Sequence, residues 1–128
     1  MPVFPLTFEV VGKLKRYVFV SPWLALNQEN YRRYKEMSSL ERRSELDRVL
    51  VGNLLSLFKG LGWILPRGLT VFAAMEQPRE VPCTHKGVGL IGFMGSFVTN
   101  FELPQSVAVG RAVSHGFGWI EKHGWQGG

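Results

Sequence analysis

One run of apolar residues with helical spacing constrains the fold of this chain more than any other feature of its sequence. The run lies near the middle of the chain and consists of Leu46, Val49, Leu50, Leu54, Leu57, Phe58 and Leu61. Intervals of three and four residues place these side chains on one face of a helix. Ser38 and Glu41 have the spacing of a capping box, so the helix is predicted to begin after Ser38 or Ser39 and to end at Gly60 or Gly62.

A short helix and several strands are predicted around this core helix. Asn27 is expected to cap a helix that begins near Gln28. β-Favouring runs predict strands at Phe4–Val11, Arg16–Val20, Leu69–Met75, Val88–Phe93, Ser96–Leu103 and Phe117–Ile120. A proline-containing loop is expected at Gln77–Thr84, and the two runs that follow it are expected to pair with each other.

This order of elements predicts an α+β fold. Strands that both precede and follow the helices are typical of a ferredoxin-like (RRM-like) antiparallel sheet with the helices packed on one face. A glycine-rich loop is expected near the C-terminus, before the last strand. No internal repeat or shift in composition suggests a boundary, so residues 1–128 are interpreted as a single domain.

The charge of the chain favours a polyanionic partner. The formal net charge is +5 and the isoelectric point is about 9.7. The single cysteine, Cys83, rules out an intramolecular disulfide and fits a reducing compartment. No apolar run approaches the length of a membrane span, so we expect a cytoplasmic protein without a membrane partner.

The sequence contains no convincing motif for a cofactor or a metal. Gly87–Gly92 matches the G-x-G-x-x-G pattern of dinucleotide sites, but β-favouring residues follow it where a helix is needed, so glycines in a twisted strand explain it better. His85, His115 and His123 lack metal-ligand spacing on one helix, and Asp47 is the only aspartate available for a catalytic triad. We therefore expect no metal and no cofactor.

The stretch Val109–Gly118 is the best candidate for contact with a nucleic acid. Its sequence is V-G-R-A-V-S-H-G-F-G, and glycines let a backbone present successive N–H groups to phosphate oxygens. Arg111 and Ser114 supply further donors, and His115 is suited to stack on a base or to donate to a phosphate. A glycine-rich turn that only closes the last strand is the alternative interpretation.

The same stretch resembles the glycine-rich loop of the RAMP superfamily, and specifically of the CRISPR-associated repeat-processing endoribonucleases. Other segments resemble this family in the same order, namely Phe19–Asn27 with Asn30 and Tyr31, Gly52–Ser56 with Lys59–Gly62, and Gly92–Phe97 with Asn100. The resemblance spans Tyr17 to Ile120. It implies a C-terminal RAMP (RRM-like) domain that holds CRISPR repeat RNA. It also implies metal-independent cleavage in the family, in which a ribose 2′-OH attacks the adjacent phosphate and leaves a cyclic phosphate.

The resemblance also suggests which residues bind RNA. They are Gly110, Arg111, Ser114, His115, Gly116 and Gly118, with Lys59 as a further candidate. Family members resemble two such domains in tandem and usually carry the general acid–base histidine in the N-terminal one, which has no counterpart in this sequence. The catalytic residue is therefore unknown, and His115 is the candidate, at a position where the family more often has arginine or lysine. A homodimer or a separate chain is expected to supply the other half.

Two alternative functions stay open. One is a complete endoribonuclease that acts as a homodimer, with His115 or His85 as general acid–base. The other is a protein-interaction scaffold without RNA contact, which would associate with its partner in a salt-insensitive way.

Other basic and aromatic residues have simpler interpretations. The polar sides of the helices carry Arg32, Arg33, Lys35, Arg42, Arg43 and Arg48, and acidic residues interleave with them, so local ion pairs are favoured over a phosphate track. Trp23, Trp63 and Trp119 lie in apolar contexts and are predicted to be core residues. Trp125, in the glycine-rich tail, is a candidate for base stacking.

Overall fold

The computed structural model describes residues 14–122, which form five strands, two helices and one short 3-10 helix. The strands are β1 (Lys15–Phe19), β2 (Ala73–His85), β3 (Val88–Thr99), β4 (Val107–Ala108) and β5 (Trp119–Lys122). The helices are α1 (Gln28–Lys35) and α2 (Ser39–Gly60), and the 3-10 helix covers Val113–His115. No helix in this part of the chain is long and apolar enough to cross a membrane. The strand predicted at Phe4–Val11 and the tail that holds Trp125 lie outside the described residues.

The five strands form one antiparallel sheet in the order β2-β3-β1-β5-β4. β1 lies in the centre, where Tyr17 is opposite Phe97 of β3 and Phe19 is opposite Ile120 of β5. The two helices connect β1 to β2, and β3 then lies between β2 and β1 in the sheet. This arrangement confirms the predicted ferredoxin-like α+β fold. Between β3 and β5 the chain forms β4 and the 3-10 helix in place of a second long helix.

Both helices begin at the predicted caps. The Asn27 side chain accepts a hydrogen bond from the backbone N–H of Asn30 at 2.7 Å. Ser38 Oγ accepts from the Glu41 N–H at 3.2 Å, and the Glu41 carboxylate accepts from the Ser38 N–H at 2.9 Å. These bonds satisfy N–H groups that the first helical turn leaves without intrahelical acceptors.

One apolar face of α2 forms the core with the sheet. Leu46, Leu50, Leu54 and Phe58, spaced four residues apart, are at most 1% exposed. Asp47 and Arg43, on the same helix, bind the backbone of Met75 in β2, whose N–H donates to Asp47 Oδ1 at 2.8 Å and whose carbonyl accepts from Arg43 at 3.3 Å. These two bonds fix the position of the helix along the outer strand of the sheet.

The β2–β3 hairpin is longer than predicted. The loop expected at Gln77–Thr84 is instead part of β2, and the two runs expected to pair form the single strand β3 up to Thr99. Because β2 lies at the edge of the sheet, a proline within it breaks no internal ladder. The pairing register with β3 shifts between Glu76 and Arg79, and Gln77 in this segment has φ of 49°. The segment, which contains a proline, therefore forms a β-bulge.

The tryptophans occupy three different environments. Trp23 is fully buried and stacks on Phe19 with ring centroids 5.3 Å apart, as predicted. Trp63 is half-buried and stacks on Phe58 at 5.3 Å. The prediction of a core position for Trp119 was wrong, since its side chain is 38% exposed. Successive residues of a strand face opposite sides of a sheet, and the neighbouring Ile120 occupies the core side.

Candidate nucleic-acid interface

The glycine-rich loop, residues Gly110–Gly118, is anchored at both ends by the segment that follows β1. The Gly118 N–H donates to the Pro22 carbonyl at 2.8 Å, and the Arg111 N–H donates to the Leu24 carbonyl at 3.3 Å. Across the base of the loop, the Val109 N–H donates to the Gly118 carbonyl at 2.9 Å. The loop therefore projects from a fixed base at the end of the sheet where β5 begins.

The loop glycines have different structural roles. A Cβ at Gly118 would lie 2.0 Å from the Val109 carbonyl oxygen, and one at Gly110 would lie 2.7 Å from the Trp23 ring. Packing alone therefore explains glycine at these two positions. At Gly116 no atom lies within 4 Å of such a Cβ, but φ is +94°, a left-handed conformation that favours glycine. Direct RNA contact by any of the three remains a prediction.

Some backbone N–H groups inside the loop donate hydrogen bonds within residues 14–122, and others do not. His115 N–H donates to the Ala112 carbonyl at 3.0 Å, and Gly116 N–H donates to the Val113 carbonyl at 3.1 Å, which forms the 3-10 helix. The N–H groups of Ala112, Val113 and Ser114 have no acceptor within residues 14–122. Ala112 has a left-handed conformation with φ of 57° and is followed by the 3-10 helix. The same change of backbone conformation occurs in nests, in which consecutive N–H groups form an anion-binding concavity.

The side chains predicted to bind RNA are accessible in the same part of the loop. Arg111, Ser114 and His115 are exposed, whereas Phe117 is half-buried. The structure thus places one permanent cation, one hydroxyl and one imidazole on the surface of a single loop. This combination suits hydrogen bonding and charge pairing with phosphate groups.

A second histidine, which sequence reasoning ranked below His115, lies against the loop. His85 is the last residue of β2 at the tip of the hairpin, and its ring centroid is 4.8 Å from that of His115. The Phe117 ring also contacts it edge-on at 5.8 Å. Desolvation lowers the pKa of His85, and the nearby His115, Lys86 and Arg111 lower it further. No local pattern could have joined residues thirty positions apart, because the contact depends on how the hairpin and the loop meet.

Lys59 belongs to α2 rather than to the glycine-rich loop. It is exposed in the last turn of α2, six residues and about 9 Å of helical rise beyond Asn53. The Asn53 side chain accepts a hydrogen bond from Trp23 Nε1 at 2.9 Å, and the Trp23 ring lies beside Gly110 of the loop. Lys59 itself forms no hydrogen bond or ion pair with the loop within residues 14–122, and its RNA contact stays a prediction.

Among the basic residues of the helices, Arg48 forms a local ion pair as predicted, whereas Arg42 and Arg43 bind backbone carbonyls instead. Arg48 forms an ion pair with Glu45 at 2.6 Å, and hydrogen bonding and charge pairing with Arg48 lower the pKa of Glu45. Arg42 donates to the backbone carbonyls of Tyr34 and Lys35, at 3.1 and 2.6 Å. Together with the bond from Arg43 to Met75, these contacts favour a structural role for this side of the molecule.

The sheet face opposite the helices combines apolar and charged side chains. Arg16 forms a bidentate ion pair with Glu76, at 2.7 and 2.8 Å, and the Ser96 hydroxyl donates to the same carboxylate at 3.0 Å. Val20 and Trp119 are 49% and 38% exposed. No helix of residues 14–122 covers this face, on which these two side chains are exposed.

Sheet order and helix placement define the class of this protein as a ferredoxin-like α+β domain, here with a glycine-rich loop before its last strand. The family model of the Cas6b C-terminal domain matches residues 9–123. The chain belongs to this family, which confirms the resemblance to the repeat-processing endoribonucleases.

Individual relatives agree with the family assignment. The uncharacterized protein MJ0978 of Methanocaldococcus jannaschii is 39% identical over 113 residues, which are 88% of this chain and 76% of that protein. Crystal structures of Cas6b and of CRISPR RNA processing endoribonuclease Cas6b are similar to this chain, each with a TM-score of 0.79 and 39% identity. These matches cover 86% and 87% of this chain but 55% of each solved chain. Csf5, a CRISPR-Cas type IV Cas6 crRNA endonuclease, is similar to this chain in fold alone, with a TM-score of 0.60 and 16% identity. The match covers 87% of this chain and 44% of the Csf5 chain.

Proposed function

We propose that this domain holds CRISPR repeat RNA through its glycine-rich loop during the processing of CRISPR RNA. The observation that carries the proposal is the unbonded N–H groups of Ala112, Val113 and Ser114, flanked by the exposed side chains of Arg111 and His115. Backbone donors in a nest bind phosphate oxygens, and the cationic side chains add attraction for the RNA backbone. Membership of the Cas6b family supports CRISPR repeat RNA as the ligand.

The proposed cleavage chemistry is that implied by the family. A ribose 2′-OH loses its proton and attacks the adjacent phosphate, the bond to the 5′-oxygen breaks, and that oxygen takes up a proton. A cyclic phosphate remains on the upstream product. The glycine-rich loop contributes by holding the phosphate backbone in place. We propose that a second copy or a separate chain supplies the other half of the RNA site, since the solved relatives are matched over 55% of their length. The sheet face on which Val20 and Trp119 are exposed is a candidate contact surface.

Replacing Arg111 tests the proposal directly. Arg111→Ala should weaken binding of a cognate repeat RNA roughly tenfold, because one charged hydrogen bond of about 1.4 kcal/mol is lost. It should also reduce the slope of log affinity against log salt by about one. Fluorescence anisotropy at several salt concentrations, with EDTA present, measures both quantities.

Arg67→Ala is the matched control for this experiment. Arg67 is exposed in the connection before β2, at the end of that strand opposite to the hairpin tip, and its removal changes the net charge equally. Its substitution should change RNA affinity little. Equal effects of the two substitutions would show that only net charge matters, and absence of any RNA binding would contradict the proposal.

A complete endoribonuclease with a local histidine is the second candidate function. The contact of 4.8 Å between the rings of His85 and His115 favours it, because cleavage of this type benefits from both a proton acceptor and a proton donor. Metal-independent cleavage by the purified chain that is lost in His115→Ala, with RNA binding retained, would support this function. Cleavage that survives substitution of both histidines would exclude it.

A further inference from the structure

The hairpin tip and the glycine-rich loop together form a cluster of ionisable groups that extends beyond the loop itself. His85, at the end of β2, contacts His115 and Phe117 of the loop, and Lys86 follows it in the turn. His115 is exposed and His85 is half-buried, so both rings border solvent at one place. The cluster joins two elements that the sheet otherwise keeps apart, since β2 and β5 do not pair.

The charged groups of residues 14–122 that shift the pKa of His85 are of one sign. His115 and Arg111 face His85 from the loop, and Lys86 does so from the hairpin turn, while Phe117 is uncharged. No acidic group contributes to the lowered pKa of His85. Two protonated imidazoles at this separation repel each other in the free protein, and an anion bound between them would remove that repulsion.

We propose that His85 and His115 together bind one phosphate group of the RNA as a pair of protonated imidazoles, so that RNA binding is coupled to proton uptake. This inference rests on the proposed function and adds the hairpin tip to the binding site. Each protonated ring donates an N–H to a phosphate oxygen, and Lys86 and Arg111 add attraction for the same or the neighbouring phosphate.

The direction of the pH dependence follows from linkage. Bound phosphate favours the protonated rings, so RNA binding raises the pKa of His85 from its lowered value in the free protein. The additional affinity from His85 is fully present below its free-state pKa and is lost as the pH rises through its pKa in the complex. A pKa difference of one unit for one proton corresponds to a change in affinity of about tenfold.

The test measures RNA affinity against pH in the full chain. Anisotropy of a repeat RNA that carries a pH-insensitive dye is followed from about pH 5.5 to about pH 8.5, a range that brackets the ordinary histidine pKa. Ionic strength is kept constant and EDTA is present. His123 lies outside the described residues, so every protein is also measured with His123→Asn. The variants are His85→Asn, His115→Asn and the double variant, in which the side chains keep polar groups but cannot titrate.

We expect the affinity of the full chain to increase roughly tenfold or more between about pH 8 and about pH 6. Each single variant should lose part of this increase, and the double variant should bind with nearly constant affinity. Calorimetry in two buffers of different ionisation enthalpy should show proton uptake by the full chain and much less by the double variant. Circular dichroism confirms that the variants remain folded.

The experiment distinguishes failure of the histidine inference from failure of the proposed function. If affinity does not depend on pH while Arg111→Ala still weakens binding, the histidine pair is only a neutral packing contact and the proposed function stands. A pH dependence that persists unchanged in the double variant also overturns the inference. If no RNA binds at any pH, the proposed function fails and this inference fails with it.

Discussion

Replacing Gly118 with alanine tests how the base of the glycine-rich loop is built. The new Cβ would lie 2.0 Å from the Val109 carbonyl oxygen, a contact with rigid backbone that must be relieved by movement of the chain. Gly118 also has φ of +75°, where alanine costs about 1–2 kcal/mol. Its N–H and carbonyl both form hydrogen bonds, at 2.8 and 2.9 Å, and each such bond contributes about 1 kcal/mol.

These contributions give an expected loss of about 3–4 kcal/mol in the free energy of unfolding for Gly118→Ala. Gly116→Ala is the matched control, because φ is +94° there but no atom lies within 4 Å of the new Cβ. It should cost only the backbone term of about 1–2 kcal/mol. Urea denaturation followed by circular dichroism measures both losses, and the thermal midpoints should differ by roughly 8 °C.

The comparison also separates folding from RNA binding. Under conditions in which both variants are folded, Gly118→Ala should weaken RNA binding more than Gly116→Ala, because it displaces the base on which Arg111 and His115 are presented. If the two variants lose the same stability, the close approach to Val109 does not constrain the loop, and the structural explanation for Gly118 is wrong.

Further substitutions test the framework that supports the site. Asp47→Ala leaves the Met75 N–H without its acceptor and should lower the free energy of unfolding by about 1–3 kcal/mol, whereas Glu45→Ala, which removes an exposed ion pair, should cost about 0.5 kcal/mol or less in the same urea titration. Ser38→Ala removes the side-chain half of the capping box and should cost about 1 kcal/mol. The other half is the hydrogen bond from the Ser38 N–H to the Glu41 carboxylate, and the Ser38 backbone and side chain lower the pKa of Glu41, so the stabilisation by this carboxylate is present above the unfolded-state pKa and is lost as the pH falls through the folded-state value. The stability difference between the native chain and Glu41→Ala should therefore shrink on acidification, and a constant difference would contradict it.

Elements that depend on neighbouring residues in sequence were predicted well. The caps at Asn27 and Ser38 and the apolar face of α2 need only spacings of three and four residues, and the structure confirms them. The exception is Leu61, which follows the last helical residue and is 43% exposed. Pairings in the sheet were harder to predict. Two prolines indicated a loop at Gln77–Thr84, because the sequence does not show that β2 lies at the edge of the sheet, where proline is tolerated.

The candidate site also has features that the local sequence predicts and features that depend on the tertiary structure. The loop Gly110–Gly118, with Arg111, Ser114 and His115, could be recognised from its glycines and donors alone, and the fold class followed from the order of elements. The loop is nevertheless held by Pro22 and Leu24, which precede it by more than eighty residues.

The sequence by itself determined the helices, their caps, the class of fold and the loop that resembles the family. Only the tertiary structure decided that His85 contacts His115 and that Trp119 is exposed. The physical reason is the range of the interactions involved. Helix periodicity and capping act within one or two turns of chain, whereas the site depends on strand order and register, which are set by the packing of the whole domain.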